Sequence, residues 1–179
     1  MFDTLLMAEI VRASLVVASP PPADLAARPD VIRPPTVQCF YTEAARQSLE
    51  PIKLLAVMKT EGGKVGLFAR NTDGSYDIGP MQINSIHLPD LSKEFGVSKR
   101  QLAEYLAYDG CFNIAVGAWM LRKRTNESKG DFWYGIGRYH SKTPKHRNRY
   151  ILRVHEHMTS MVNQINAAAR PAARLKETL

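Results

Sequence analysis

Val57–Asn84 reads VMKTEGGKVGLFARNTDGSYDIGPMQIN. An apolar helical run, LLAVM at Leu54–Met58, leads into a carboxylate, Glu61, and the glycine pair Gly62 and Gly63. Glycine just past a periodic run is a helix stop, so Glu61 is placed at a helix end. A polar loop, NTDGSYD (Asn71–Asp77), then runs into a glycine turn and a short amphipathic stretch, GPMQIN (Gly79–Asn84). A carboxyl group at the end of an apolar helix is partly desolvated, which disfavours its charged form and raises its pKa. A raised pKa lets a carboxylic acid hold its proton near neutral pH, the requirement for a general acid. A solvated surface glutamate followed by an ordinary glycine cap is the plain alternative, and perturbed carboxylates are only a statistical pointer to function.

Working outward, 179 residues suffice for one domain with its own core. The net charge of +7 implies an acidic partner or an anionic surface: nucleic acid, anionic membrane or the acid-bearing peptides of a bacterial wall. Positive charge concentrates in residues 120–155, which hold ten Lys or Arg against two acids, Glu127 and Asp131. A solvated basic helix face explains that stretch equally well. No apolar run reaches the roughly 18 residues that a membrane span needs. The N-terminal segment has two apolar patches but no basic start, and Asp3, Glu9 and Arg12 interrupt it. It reads as a poor secretory signal or an upstream extension.

Residues 1–36 are set apart from the domain by Pro20, Pro21, Pro22, Pro29, Pro34 and Pro35, which resist helix and sheet. The domain is expected over 37–166, with a polar, frayed tail at 167–179. Helices are expected at Cys39–Gln47, at about 51–60 behind Pro51, at Ser98–Leu106, Cys111–Arg124, Asp131–Tyr139 and Arg147–Ile165. Residues 69–78 read as a loop or small hairpin around Asp73-Gly74. A short helix is expected near 81–87. The fold class is mainly α.

Other motifs narrow the chemistry. FWYGIGRYHSKTP (Phe132–Pro144) mixes aromatics and glycines, which suits a carbohydrate cleft; Phe132 and Trp133 suit the core as well. Tyr139 stands at a polar end, where a buried hydroxyl needs a partner. His140 beside Ser141 lacks the spaced orienting acid of a nucleophilic triad. His87, His140, His146, His155 and His157 show no metal-ligand spacing, and no phosphate-binding or dinucleotide motif is present. No metal and no cofactor are expected. Cys39 and Cys111 are unpaired if the protein is cytosolic and bridged if it is periplasmic.

The series from Glu61 to Asn84 resembles the active-site segment of the lysozyme-like lytic transglycosylases, the SLT family. It is most similar to the small members that accompany type IV secretion, conjugation and type III secretion systems. The likeness covers roughly Val37–Arg153. Glu61 falls at the catalytic glutamate, Asn71–Gly79 fits an N-x-x-G-S-x-D-I-G segment, and Met81-Gln82-Ile83-Asn84 fits the M-Q-I-N that lines the cleft. Asn113–Trp119 resembles the N-I-x-x-G-A helix, and Tyr139 falls at the tyrosine of an A-Y-N element. Two positions depart from the pattern: Gly62 replaces the serine that follows the glutamate, and His140 replaces the asparagine.

The resemblance implies a lysozyme-like α domain with at most a small hairpin near the active site, and Glu61 as the catalytic residue. It implies Gln82, Tyr139, Met81 and Asn84 as substrate-binding residues, Gly79 and Pro80 as backbone beside an N-acetyl group, and a bridge between Cys39 and Cys111. The implied substrate is the glycan strand of peptidoglycan, cut at the MurNAc–GlcNAc bond with a 1,6-anhydro end. The expected setting is the periplasm, as a monomer serving a secretion or conjugation apparatus, with no nucleic acid and no membrane span. Two other readings stand beside it: a hydrolytic muramidase using Asp73 or Asp77, and a non-catalytic basic module for nucleic acid or anionic surfaces.

Overall fold

The structure is a computed structural model that describes residues 31–176, with side chains through residue 169; residues 1–30, expected to be a leader or extension, lie outside the described part. The described residues form seven α-helices and one small sheet. The helices are α1 (Val37–Arg46), α2 (Pro51–Glu61), α3 (Leu88–Phe95), α4 (Lys99–Tyr108), α5 (Gly110–Glu127), α6 (Phe132–His140) and α7 (Pro144–Lys176). The mainly α reading holds.

Helix α5 is the axis of the domain. Asp109 caps it by accepting the Phe112 N–H at 2.8 Å, and residues from Phe112 to Ala118 are all buried. A helix buried all round needs an apolar wall on every side. Ala44 of α1, Leu102 and Leu106 of α4 and Ile136 of α6 help supply it, while α2 packs on α7 and adds Leu54, Ala56 and Val57 to the same core. Cys39 of α1 is joined to Cys111 in the first turn of α5 by a disulfide, with Cα atoms 5.8 Å apart.

Between α2 and α3 the chain forms an antiparallel sheet of β1 (Phe68–Arg70), β2 (Tyr76–Ile78) and β3 (Ile83–Asn84). The pairing Phe68↔Ile78 closes the expected hairpin, and Asp77↔Asn84 adds the third strand. The short helix expected at 81–87 is therefore corrected to β3 followed by a single 3-10 turn, Ser85–His87. The cause is backbone geometry: Gly79 at φ +71° and Gln82 at φ +47° make a left-handed turn that no helix start tolerates. A side chain at Gly79 would also place Cβ 2.3 Å from the Asn113 amide nitrogen.

Helix α3 was not foreseen in the sequence; its Pro89 stands in the first turn, where a missing N–H costs nothing. Helix α7 runs on to Lys176, past the end expected at Ile165, over a run of three alanines that favours helix. No described helix is long and apolar enough to cross a membrane.

Candidate active site

Pro51 starts α2 and Gly62, at φ +65°, stops it, so Glu61 occupies the last helical position. Its carboxyl group lines a cavity of about 220 Å3 together with Asp77, Gln82, Asn84, Tyr139 and His140. A much larger hollow of about 870 Å3, walled by Ile52, Leu55, Met58, Val65, Met161 and Ile165, contains no carboxylate, histidine or tyrosine. The chemistry belongs to the smaller cavity.

Burial pushes the Glu61 carboxyl up to about 7. A hydrogen bond donated by the Tyr150 hydroxyl to Oε1 works against that rise, the negative charge of Asp77 adds to it, and Arg153 opposes it. Glu61 therefore holds its proton in an appreciable fraction of molecules at neutral pH and can also give it up there. That is the condition for one group to act first as acid and then as base.

Asp77 is fixed from both sides. The Asn84 amide donates to its Oδ1 at 2.8 Å and the Asn71 amide to its Oδ2 at 3.1 Å. The same two amides also donate to Ser75 Oγ, each at 3.1 Å. Asn84 then accepts the Ile86 N–H at 2.9 Å. Its amide is thus committed to holding Asp77 and capping the 3-10 turn. Asp73 stands apart: its Oδ1 accepts the Ser75 N–H and hydroxyl at 2.9 and 2.7 Å in a tight loop bend, and it does not line the cavity.

The MQIN segment is divided between core and cavity. The Met81 side chain is fully buried, packed into space that exists because α5 carries Gly117 there; a Cβ at that position would approach Met81 to 2.7 Å. The structure does not bring the Met81 side chain to the cavity; its carbonyl accepts the Tyr139 hydroxyl at 2.9 Å. Gln82 does line the cavity, with its amide donating to the Gly79 carbonyl at 2.8 Å. Asn113 of α5 sets the whole turn. Its Oδ1 accepts the Met81 N–H at 2.7 Å, and its Nδ2 donates to the carbonyls of Ile78 and Leu106, each at 2.9 Å.

Tyr139 reaches the cavity from α6, and burial keeps its hydroxyl protonated. His140 lines the cavity too. Its ring lies parallel to Tyr150, 4.4 Å between centroids and 5° between planes. Burial, and then Arg153 and His146, hold its pKa below the usual histidine value. Phe132 and Trp133 pack against the core instead of lining the cavity.

Tyr150 is the functional candidate that the sequence did not reveal. It lies on α7 in line with Val154 and Met161, at helical spacing, and so reads as core. The one available signal was its hydroxyl, which needs a partner when buried. Tyr150→Phe is expected to keep the ring packed and lose the bond to Glu61. That bond favours the carboxylate, so its loss raises the Glu61 pKa further and moves the alkaline limb of the activity profile upward. A rate loss of about 10-fold or more is expected for one hydrogen bond to a charged group. A profile of activity against pH checks it; an unmoved limb would rule out the contact as a tuning bond.

The geometry agrees with comparisons to known proteins. The model for the family described as "Transglycosylase SLT domain" matches residues 38–163. Invasion protein IagB of Salmonella typhimurium is 34% identical over 123 residues, covering 66% of this chain and 73% of that protein. Invasion protein IagB of Salmonella typhi matches to the same extent.

Proposed function

The chain belongs to the transglycosylase SLT family, and we propose that it cuts the MurNAc–GlcNAc bond of peptidoglycan with Glu61 as both acid and base. Membership makes it a lytic transglycosylase with a peptidoglycan substrate, which implies a compartment outside the cytoplasm. The finer chemistry is inferred from the cavity.

In this reading protonated Glu61 gives its proton to the glycosidic oxygen as the bond to the MurNAc anomeric carbon breaks. The resulting carboxylate takes the proton of the same sugar's C6 hydroxyl, whose oxygen attacks the anomeric carbon and closes a 1,6-anhydro ring. No water is consumed. Asp77, held by two amides, faces the positive charge that develops on the sugar ring. Gln82 has spent an N–H on Gly79 and offers its carbonyl oxygen to a substrate donor; Tyr139 has spent its proton on Met81 and offers lone pairs. The observation that carries the reading is the buried carboxyl of Glu61, poised at about 7 in a cavity it shares with a single pinned carboxylate.

Digestion of purified sacculi, followed by mass spectrometry without borohydride reduction, tests it. Anhydro ends, lighter by one water than hydrolytic ends, are expected. A preformed intramolecular nucleophile gains several kcal/mol over free water, at roughly 7–11 kcal/mol for ideal geometry. Reducible ends would replace this mechanism with the muramidase reading. Asp77 would then be the residue to mutate, because it lines the cavity and Asp73 does not.

The setting we propose is the periplasm, with the enzyme opening the wall locally for a secretion or conjugation apparatus. The likeness to proteins named for invasion supports that assignment. Loss of apparatus assembly in a strain carrying Glu61→Gln, restored by the wild-type gene, is the corresponding test.

A further inference from the structure

Lys123 and Arg124, at the start of the basic stretch 120–155, have no part in the cleavage chemistry described above. They lie beside the catalytic cavity. His87 and Met120, which wall the Glu61 cavity, also wall a second hollow of about 90 Å3 completed by Asp90, Leu91, Trp119, Lys123 and Arg124. The two hollows share His87 and Met120, so they lie side by side, the second on a shelf of α5 next to the Glu61 cavity.

The shelf has two kinds of surface. The indole of Trp119 is half-buried, and the Lys123 ammonium lies 5.4 Å from its ring centroid. Trp119 and Lys123 are one helical turn apart, which places both on one face. The Lys123 side chain is exposed and, among the described residues, in no ion pair, whereas Arg124 is bonded to Glu127 at 2.8 Å. The positive field is felt at both ends of the shelf. Arg124 and Lys123 help burial to depress the His87 pKa, with Asp90 opposing. Lys123 and Arg138 join Arg124 in lowering that of Glu127. Lys123, Arg124 and Arg138 outnumber Asp90 and Glu127.

We propose that this shelf binds the carboxylate-bearing stem peptide of the muramoyl unit being cut. A glycan strand is uncharged along its sugars, so an unpaired ammonium in its path has nothing ionic to recognise there. The peptide supplies what the sugars lack: free carboxylates for Lys123 and small methyl side chains for the face of Trp119. It is also tethered in the right place. The lactyl ether that carries the peptide belongs to the same sugar whose anomeric carbon faces Glu61. The peptide must therefore leave the cleft within about one sugar's width of the catalytic cavity, where the shelf begins.

The inference rests on the peptidoglycan reading above, and two substrates separate the two claims. One is glycan strands bearing stem peptides; the other is the same strands stripped of peptides by an amidase, with the lactyl carboxylates that hydrolysis frees capped as neutral methylamides. Wild type is expected to show the lower KM on peptide-bearing strands. Lys123→Gln is expected to raise that KM about 3-fold, and Lys123→Glu about 10-fold, with kcat unchanged, as for loss of a partly exposed ion pair that acts equally on bound substrate and transition state. Lys123→Arg restores the wild-type value. None of the three changes KM on stripped strands, and added salt narrows the gap between the substrates. Equal changes on both substrates, or no change on either, would overturn the assignment. A wild-type enzyme that cuts neither substrate overturns the function itself, and this inference with it.

Discussion

Glu61→Gln is expected to lower sacculus cleavage by about four orders of magnitude. A positioned acid or base contributes roughly 10²–10⁴-fold, and here one group supplies both proton transfers, so a loss of about 5 kcal/mol of transition-state stabilisation is expected. The amide keeps the shape of the carboxyl group and can still accept the Tyr150 hydroxyl through its oxygen. It cannot donate a proton to a leaving oxygen or receive one from the C6 hydroxyl. Cleavage near the wild-type rate, in a clean preparation of the variant, would remove Glu61 from the chemistry.

The same substitution is expected to stabilise the fold in alkaline solution. Burial raises the Glu61 pKa from 4.5 to about 7, so the folded state holds this proton more tightly than the unfolded chain. The stability that follows is complete below about pH 4.5 and is lost as pH rises through about 7. At 1.36 kcal/mol per pKa unit, the ionised carboxylate costs the native state about 3 kcal/mol in mildly alkaline solution. Glutamine is neutral throughout and escapes that cost. Melting temperatures of wild type and variant should therefore nearly coincide at acid pH and separate by about 5–10 °C in alkali. Parallel curves across the pH range would mean that Glu61 is not desolvated.

The contrast between Glu61 and its partners shows what a sequence can carry. The position of Glu61 was legible because local punctuation, Pro51 and Gly62, fixes where α2 starts and stops. The hairpin was legible, as one of two readings beside a plain loop, for a similar local reason, the turn-forming pair Asp73-Gly74. The glycine turn was legible, but the stretch from 81 to 87 was expected to be a helix because what shapes it is distant: Asn113 binds Met81, Ile78 and Leu106 from α5. Side-chain periodicity does not report such a contact. For the same reason Met81 was expected in the cleft and is found in the core, opposite Gly117. Asn84 lines the cavity as expected from the resemblance, but its hold on Asp77 is a second tie that the sequence does not report. Tyr150 lies 89 residues from Glu61, in an apolar stripe indistinguishable from ordinary core.

Reduction of the Cys39–Cys111 bridge is expected to lower the melting temperature by about 10 °C. The bond closes a loop with a sequence separation of 72 residues. In the chain-entropy account, freeing a loop of that size in the unfolded ensemble costs the folded state about 4 kcal/mol of relative stability. For a domain of this size each kcal/mol corresponds to about 2–4 °C. The effect should fall on folding rather than chemistry, because the bridge ties α1 to the first turn of α5 and neither cysteine lines the cavity. Residual activity measured well below the melting point should therefore survive reduction, while thermal scans with and without reductant separate. The compartment enters the same argument. A peptidoglycan substrate places the enzyme outside the cytoplasm, where oxidation forms and keeps such bonds. Alkylation and mass spectrometry of protein recovered from the periplasm should find neither cysteine free. Two free thiols in that material would remove both the bridge and the oxidising compartment from the account. The α1–α5 contact would then rest on packing alone, and the melting temperature would not respond to reductant.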